Sequence, residues 1–187
     1  MKKMLKCGIA FMLCFAMMML AACGGSNGPS DAVSKSLDEL KKSEISDSAL
    51  GNADASLNDN TKEAYKAFME KLHDFDYEIT DEKISDDGES ADVTVKITTY
   101  DFGNAYLDTY EELLQKNDPD KITQDMLYGT MFKKMSELKD KKYSEKITVK
   151  CTKSDDEWKP SLNGNAQFQN ALFGGTIKIV SELANNK

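Results

Sequence analysis

Two stretches of alternating apolar and polar residues constrain the fold of this chain more than any other feature. The first covers residues 91–98 and the second covers residues 143–151. Strict alternation places one set of side chains on a dry face and the other on a wet face, which is typical of antiparallel strands covered on one side only. The apolar set is Ala91, Val93, Val95, Ile97, Tyr143, Ile147, Val149 and Cys151.

Turn signals beside these stretches extend each of them into a β-hairpin. Asp86-Asp87-Gly88 separates a short strand at residues 77–79 from the first stretch, and a turn at residues 154–157 leads from the second stretch into residues 158–162. Pro160 cannot donate a ladder hydrogen bond, so the last strand is expected at a sheet edge or to end early. We therefore predict about four antiparallel strands in two hairpins.

Helical periodicity accounts for most of the remaining chain. It is strongest after Thr61, where Ala64, Phe68 and Leu72 repeat every four residues and Asp59 or Asn60 is the expected cap. The resulting fold class is α+β, a curved antiparallel sheet packed on helices. The other helices are predicted from about residue 31, over residues 104–116, 121–139, 166–173 and 176–184, the last two hinged at Gly174-Gly175.

The chain divides into a leader, a tether and one domain. Residues 1–22 are expected to be a signal peptide, residues 23–30 a flexible tether rich in glycine and serine, and residues 31–187 a single α+β domain. Within that domain, residues 31–60 are expected to form a loosely packed helix followed by a linker. About 155 residues after the tether are enough to bury one core.

The N-terminus has the three zones of an export signal. Lysines at positions 2, 3 and 6 precede an uncharged apolar segment at residues 8–20, which is shorter than the roughly 20 residues that cross a bilayer. The following Leu20-Ala21-Ala22-Cys23, with Gly24 after it, resembles the lipobox of bacterial lipoproteins. Secretion without a lipid, and a retained anchor, are the alternatives.

The lipobox resemblance implies a membrane as the first partner. In such proteins the Cys23 thiol accepts a diacylglyceryl group and cleavage occurs just before it. Each buried methylene contributes about 0.8 kcal/mol and one chain binds only marginally, so two acyl chains give stable anchoring. The expected location is the extracytoplasmic face of the cell membrane.

Charge and cysteine usage limit the other partners. Removing three signal lysines from the 24 basic residues leaves 21 against 32 acidic ones, a net charge near −11, which disfavours nucleic acid. The basic residues are all lysine, a composition compatible with an AT-rich Gram-positive genome. Cys151 would be the one free thiol after processing, so stability must come from a packed core and not from disulfides.

The element order and two short motifs are similar to a known family. Trp158-Lys159 closing a hairpin, followed by Asn170-Ala171-Leu172-Phe173-Gly174-Gly175, resembles small Firmicute lipoproteins whose domains of unknown function are related to the nuclear-transport-factor-2-like (or cystatin-like) group. The resemblance covers about residues 61–187. It implies a sheet wrapped around helices into a cone whose mouth admits a ligand, and Pro160 departs from the aliphatic residue expected there.

Residues with reactive side chains do not form a recognisable catalytic motif. His73 is the one histidine and lies at the end of an amphipathic helix, while Cys151 lies on the apolar face of its strand. Acidic clusters at residues 86–87, 118–120 and 155–157 coincide with turns and lack the spacing of a calcium loop. We therefore predict no cofactor, no metal site and no catalytic residue.

Aromatic residues give the candidate ligand pocket. Tyr100, Tyr106 and Tyr110 follow the second strand, and Trp158 arrives from the last hairpin. Amphipathic rings of this kind line concave small-molecule sites, although core packing is the competing interpretation.

Two functions follow from these patterns. The first is a non-enzymatic module that binds a small ligand or an envelope protein. The second is a cell-envelope enzyme that uses a pocket carboxylate such as Glu78 or Asp101, and it requires a buried acid with a perturbed pKa beside the tyrosines.

Overall fold

The two alternating stretches pair with each other at the centre of one antiparallel sheet. The computed structural model describes residues 28–43 and 57–185. The predicted signal peptide, Cys23 with its lipobox, and most of the predicted tether and linker lie outside these residues. Strand order is β1-β2-β3-β4. The strands are β1 (Asp76–Ile84), β2 (Ser90–Thr99), β3 (Tyr143–Ser154) and β4 (Glu157–Pro160).

The four-stranded antiparallel sheet and the α+β class confirm the prediction. β2 alternates as predicted, with Val93, Val95 and Ile97 fully buried, and β3 places Ile147, Val149 and Cys151 on the same dry face. β4 ends at Pro160, two residues earlier than predicted, and the Ser161 amide donates the last hydrogen bond of the ladder to the Lys150 carbonyl at 2.7 Å. β1 is longer than the predicted residues 77–79. The sequence pattern missed its second half because those residues are mostly charged and exposed and show no apolar alternation.

Six α-helices accompany the sheet in the described part of the chain. Helices α1 and α5 lie against the dry face of the sheet, and α2, α3, α4 and α6 form further contacts behind them. The helices are α1 (Pro29–Lys42), α2 (Asp59–His73), α3 (Phe102–Lys116), α4 (Gln124–Glu137), α5 (Ala166–Leu172) and α6 (Thr176–Asn185), and a 3-10 turn covers Pro119–Lys121.

Capping residues explain why several helices begin away from the predicted positions. Asn58, and not Asp59 or Asn60, caps α2 by accepting from the Thr61 amide at 2.9 Å. Thr123 caps α4 and so starts it after residue 121, and Asp101 caps α3 at Phe102. Helix α1 begins at Pro29, inside the last two residues of the predicted tether, because proline is favoured in the first turn.

Aromatic rings fill the centre of the helical layer. The Phe68 ring lies 5.3 Å from Phe102 and 5.4 Å from Phe132, and so joins α2, α3 and α4. Tyr65 approaches Phe132 edge-on at 5.3 Å. These contacts are worth about 0.5–1.5 kcal/mol each beyond burial and link elements that are distant in sequence.

Helix α1 packs more tightly than the sequence suggests. Val33 and Leu37 are completely buried, and the Tyr77 hydroxyl of β1 donates to Asp38 at 2.8 Å. The helix therefore belongs to the core and is not a loosely packed extension. A bulge in β1 after Ile79 leaves Thr80 unpaired and returns Glu82 to the dry side, opposite Val93.

Candidate functional site

The structure does not bring the four predicted pocket aromatics together. Tyr100 follows Thr99, which pairs with Tyr143 at one end of β3, whereas Trp158 pairs with Lys153 at the other end. Ten residues of strand separate these positions by about 33 Å. β4, which carries Trp158, contacts β3 and α1.

Tyr100 belongs to a polar network at the end of α2. Its hydroxyl donates to Asp74 Oδ2 at 2.5 Å, and Lys71 Nζ lies 4.3 Å from the centre of its ring. Lys141 pairs with Asp74 at 2.8 Å and with Asp76 at 3.0 Å. Hydrogen bonds from Lys141 and then from Tyr100 lower the pKa of Asp74. The network ties α2 and β1 to the segment before β3, which is a structural role.

Tyr106 and Tyr110 lie on α3, which packs on α4 and α6. Tyr106 is buried, and desolvation, followed by the nearby Tyr110, raises the pKa of its phenol. This placement supports the interpretation that these rings pack in the core. The tyrosines do not line a cleft.

The two carboxylates proposed for an enzyme have other surroundings. Glu78 is exposed on β1. Asp101 caps α3, where Oδ1 accepts from the Asn104 amide at 3.0 Å. Neither is a buried acid beside Tyr106 or Tyr110.

A half-buried carboxylate that sequence reasoning missed lies on β3. Glu145 Oε2 accepts from the Tyr143 hydroxyl at 2.5 Å and from Asn170 Nδ2 at 2.9 Å. Desolvation and Glu145 raise the pKa of the Tyr143 phenol. The cluster joins α5 to β3, and the Tyr143 ring packs against Gly175. These contacts hold the helical layer against the sheet.

His73 and Cys151 take the structural positions expected of them. His73 ends α2, and burial lowers the pKa of its imidazole. Cys151 is 1% exposed, and burial raises the pKa of its thiol to about 12, so it is an inert apolar residue. Within residues 28–43 and 57–185, no group of three or more His, Cys, Asp or Glu side chains could hold a metal ion.

One end of the sheet has a groove of about 450 Å³ that is half open to solvent, a volume within the range of small-molecule sites. We call it the cross-strand trough. Its nine lining residues form a three-by-three block on β1, β2, β3 and the turn beside them. They are Lys83, Ile84, Ser85, Ser90, Ala91, Asp92, Lys150, Cys151 and Thr152.

Strand register arranges this block into a floor and two walls. Ile84, Ala91 and Cys151 pair across the strands, and Ala91 and Cys151 are buried on the helix side. A cavity on that side would also be lined by helical residues, and all nine lining residues come from the sheet and its hairpin. The backbone of this middle row is therefore the floor of a trough on the wet face.

The two walls differ in chemistry. One wall is the row Lys83, Asp92 and Lys150, paired in register. The other wall carries the hydroxyls of Ser85, Ser90 and Thr152. The trough thus presents two ammonium groups, one carboxylate and three hydroxyls, of which the Ser85 hydroxyl is already hydrogen-bonded within the turn.

The polar groups of the charged wall are only partly engaged by the protein. Lys83 reaches Asp81 at 3.7 Å on an exposed surface, and exposed pairs of this kind are worth little. Among the described residues, neither Asp92 nor Lys150 makes an ion pair. These two side chains are therefore available to a ligand.

The sequence alone could predict which way the polar side chains of this trough face, but not which of them are neighbours. Alternation places Ser90, Asp92, Lys150 and Thr152 on the wet face, but it cannot reveal which residues of different strands lie side by side. The strand register of the structure shows which residues are neighbours.

Comparison of the chain with protein-family models, with curated proteins and with solved structures finds no match. No helix among the described residues has both the length and the apolar character needed to cross a membrane.

Proposed function

We propose that this protein is a lipid-anchored module that binds a small ligand at the extracytoplasmic face of the cell membrane without catalysing a reaction. The trough of about 450 Å³ on the wet face of the sheet is the observation that carries the binding proposal. The anchor rests on the lipobox-like Leu20-Ala21-Ala22-Cys23. The antiparallel sheet with helices on one face is compatible with a nuclear-transport-factor-2-like cone, which we propose as the fold family.

Binding without catalysis is favoured by the surroundings of the titratable groups. Cys151 is a buried thiol with a raised pKa, and its side chain points away from the trough. The trough carboxylate, Asp92, is exposed. An exposed acid beside two lysines holds a ligand more readily than it transfers a proton in a dry site.

The anchor is tested by replacing Cys23. In a Gram-positive host, Cys23→Ala should move the protein from the membrane fraction into the medium or the soluble fraction, because the acyl acceptor is lost. Cys14→Ala, inside the predicted signal, is the matched control and should stay in the membrane fraction. A Cys23→Ala variant that remains anchored would contradict the proposal.

The binding role is tested by native mass spectrometry of the full-length protein extracted from that host in nonionic detergent. We expect an additional small-molecule mass, lost in Ser90→Trp, which fills the trough, and kept in Thr98→Trp, on the same face of the same strand. A wild-type mass with nothing bound, or equal occupancy in both variants, would overturn the binding proposal.

A further inference from the structure

From the two walls of the trough we infer the class of its ligand, a small molecule with one carboxylate and several hydroxyl groups, about the size of one sugar ring. This inference rests on the proposed binding function. It follows from the chemistry and the dimensions of the trough.

The dimensions select a single ring. Side chains two residues apart on a strand are about 6.6 Å apart, which sets the distance between the walls, and three strands span about 10 Å. A slot of this size admits one pyranose-sized molecule lying across the strands. It is too short for an oligomer to lie along its length.

The charged wall selects an anion. Two ammonium groups, of Lys83 and Lys150, flank one carboxylate, of Asp92, so the wall has a net positive charge. Each lysine donates in three directions and suits a single carboxylate, while Asp92 accepts from a ligand hydroxyl.

The hydroxyl wall selects a polyol. Ser90 and Thr152 present hydroxyls that both donate and accept, as sugar hydroxyls require. Ser85 is already engaged, since its hydroxyl donates to Asp87 at 2.5 Å, so it braces the turn at the end of this wall.

The wet face as a whole is balanced in charge. Across β2, β3 and β4 the outward-facing charged residues are Asp92, Lys96, Lys146, Lys150, Glu157 and Lys159. The matching residues of β1 are Asp76, Glu78, Asp81 and Lys83, so the face has five lysines and five acids. The positive charge that would attract a small anion is therefore that of the charged wall alone.

The inference is tested with three sugars that share a ring and differ in charge: D-glucuronate, D-glucose and D-glucosamine. Saturation-transfer NMR titrations use the full-length protein in nonionic detergent. We expect glucuronate to bind at least about tenfold more tightly than the other two, as charge-assisted hydrogen bonds would give. Lys150→Gln should remove that preference, whereas Lys146→Gln, on the same face of the same strand outside the trough, should retain it.

The outcomes separate this inference from the function on which it rests. Equal binding of the three sugars, no binding of glucuronate, or a preference unchanged in Lys150→Gln would overturn the ligand class. If the Ser90-dependent mass is still found in native mass spectrometry, the binding function stands and its ligand is of another class. If that mass is absent as well, both proposals fail.

Discussion

At the scale of single residues, the link between the last two helices depends on glycine. Gly174 and Gly175 have φ of +53° and +80°, a region that side chains disfavour. A Cβ on Gly174 would lie 2.1 Å from the Tyr100 carbonyl oxygen, and the Gly174 carbonyl accepts from the Gly103 amide at 3.0 Å. The sequence predicted a hinge at these positions, and the structure shows a close backbone crossing.

This crossing predicts a large effect for one methyl group. Gly174→Ala should destabilise the fold by roughly 3 kcal/mol or more, since conformational strain and a backbone clash add. Gly164→Ala is the control, because Gly164 also has a positive φ, of +74°, but has open space around it, so only strain of about 1 kcal/mol is expected. Urea unfolding measures both, and equal losses would contradict the clash.

At the scale of elements, a carboxylate on the sheet caps the N-terminus of α1. Gly28 precedes the helix and has no capping side chain, and Glu82 Oε2 of β1 instead accepts from the Ser30 amide at 2.9 Å. The Ser30 hydroxyl donates to the same oxygen. An anion at a helix N-terminus satisfies free amides and complements the dipole. The bulge in β1 brings Glu82 to this side of the sheet.

Removing this long-range cap should loosen α1. Glu82→Ala is expected to lower the stability by about 1 kcal/mol, as for other capping losses, and to speed amide exchange in the first turn of α1. Glu78→Ala, exposed on the same strand, is the matched control. Hydrogen–deuterium exchange with mass spectrometry reads the effect, and unchanged exchange in α1 would refute the capping role.

At the scale of the whole molecule, the Asp74 network joins the helical layer to the sheet and makes stability depend on pH. The folded-state pKa of Asp74 is lowered, so the charged carboxylate stabilises the fold above the ordinary pKa of aspartate. That stabilisation is lost as the pH falls and the carboxylate takes up a proton. The free energy of unfolding should therefore decrease at acidic pH.

Asp74→Asn should therefore make the free energy of unfolding depend less on pH in the acidic range. The variant is expected to be less stable than the wild type at pH 7 and to approach it in stability as the pH falls below 4, because both then lack the charge. Urea unfolding over a series of pH values measures the difference. Asp108→Asn, an exposed acid on α3, controls for charge alone, and a constant gap between Asp74→Asn and wild type at every pH would contradict the prediction.

Local sequence patterns were enough to predict the helices and strands of this protein, since alternation and four-residue periodicity indicate which side of a strand or helix is dry. It predicted the four strands, the α+β class and the Gly174-Gly175 link. It also predicted a lipid anchor at Cys23, which lies outside the described residues. These are local properties, decided by the order of apolar and polar side chains.

Which distant residues meet depends on the tertiary structure. It separated Trp158 from Tyr100 by the length of β3, engaged Asp101 as a cap, and buried α1 under the sheet. It also aligned Lys83, Asp92 and Lys150 into one wall. Strand register and long-range packing depend on the whole core at once, so no local pattern in the chain could reveal that wall.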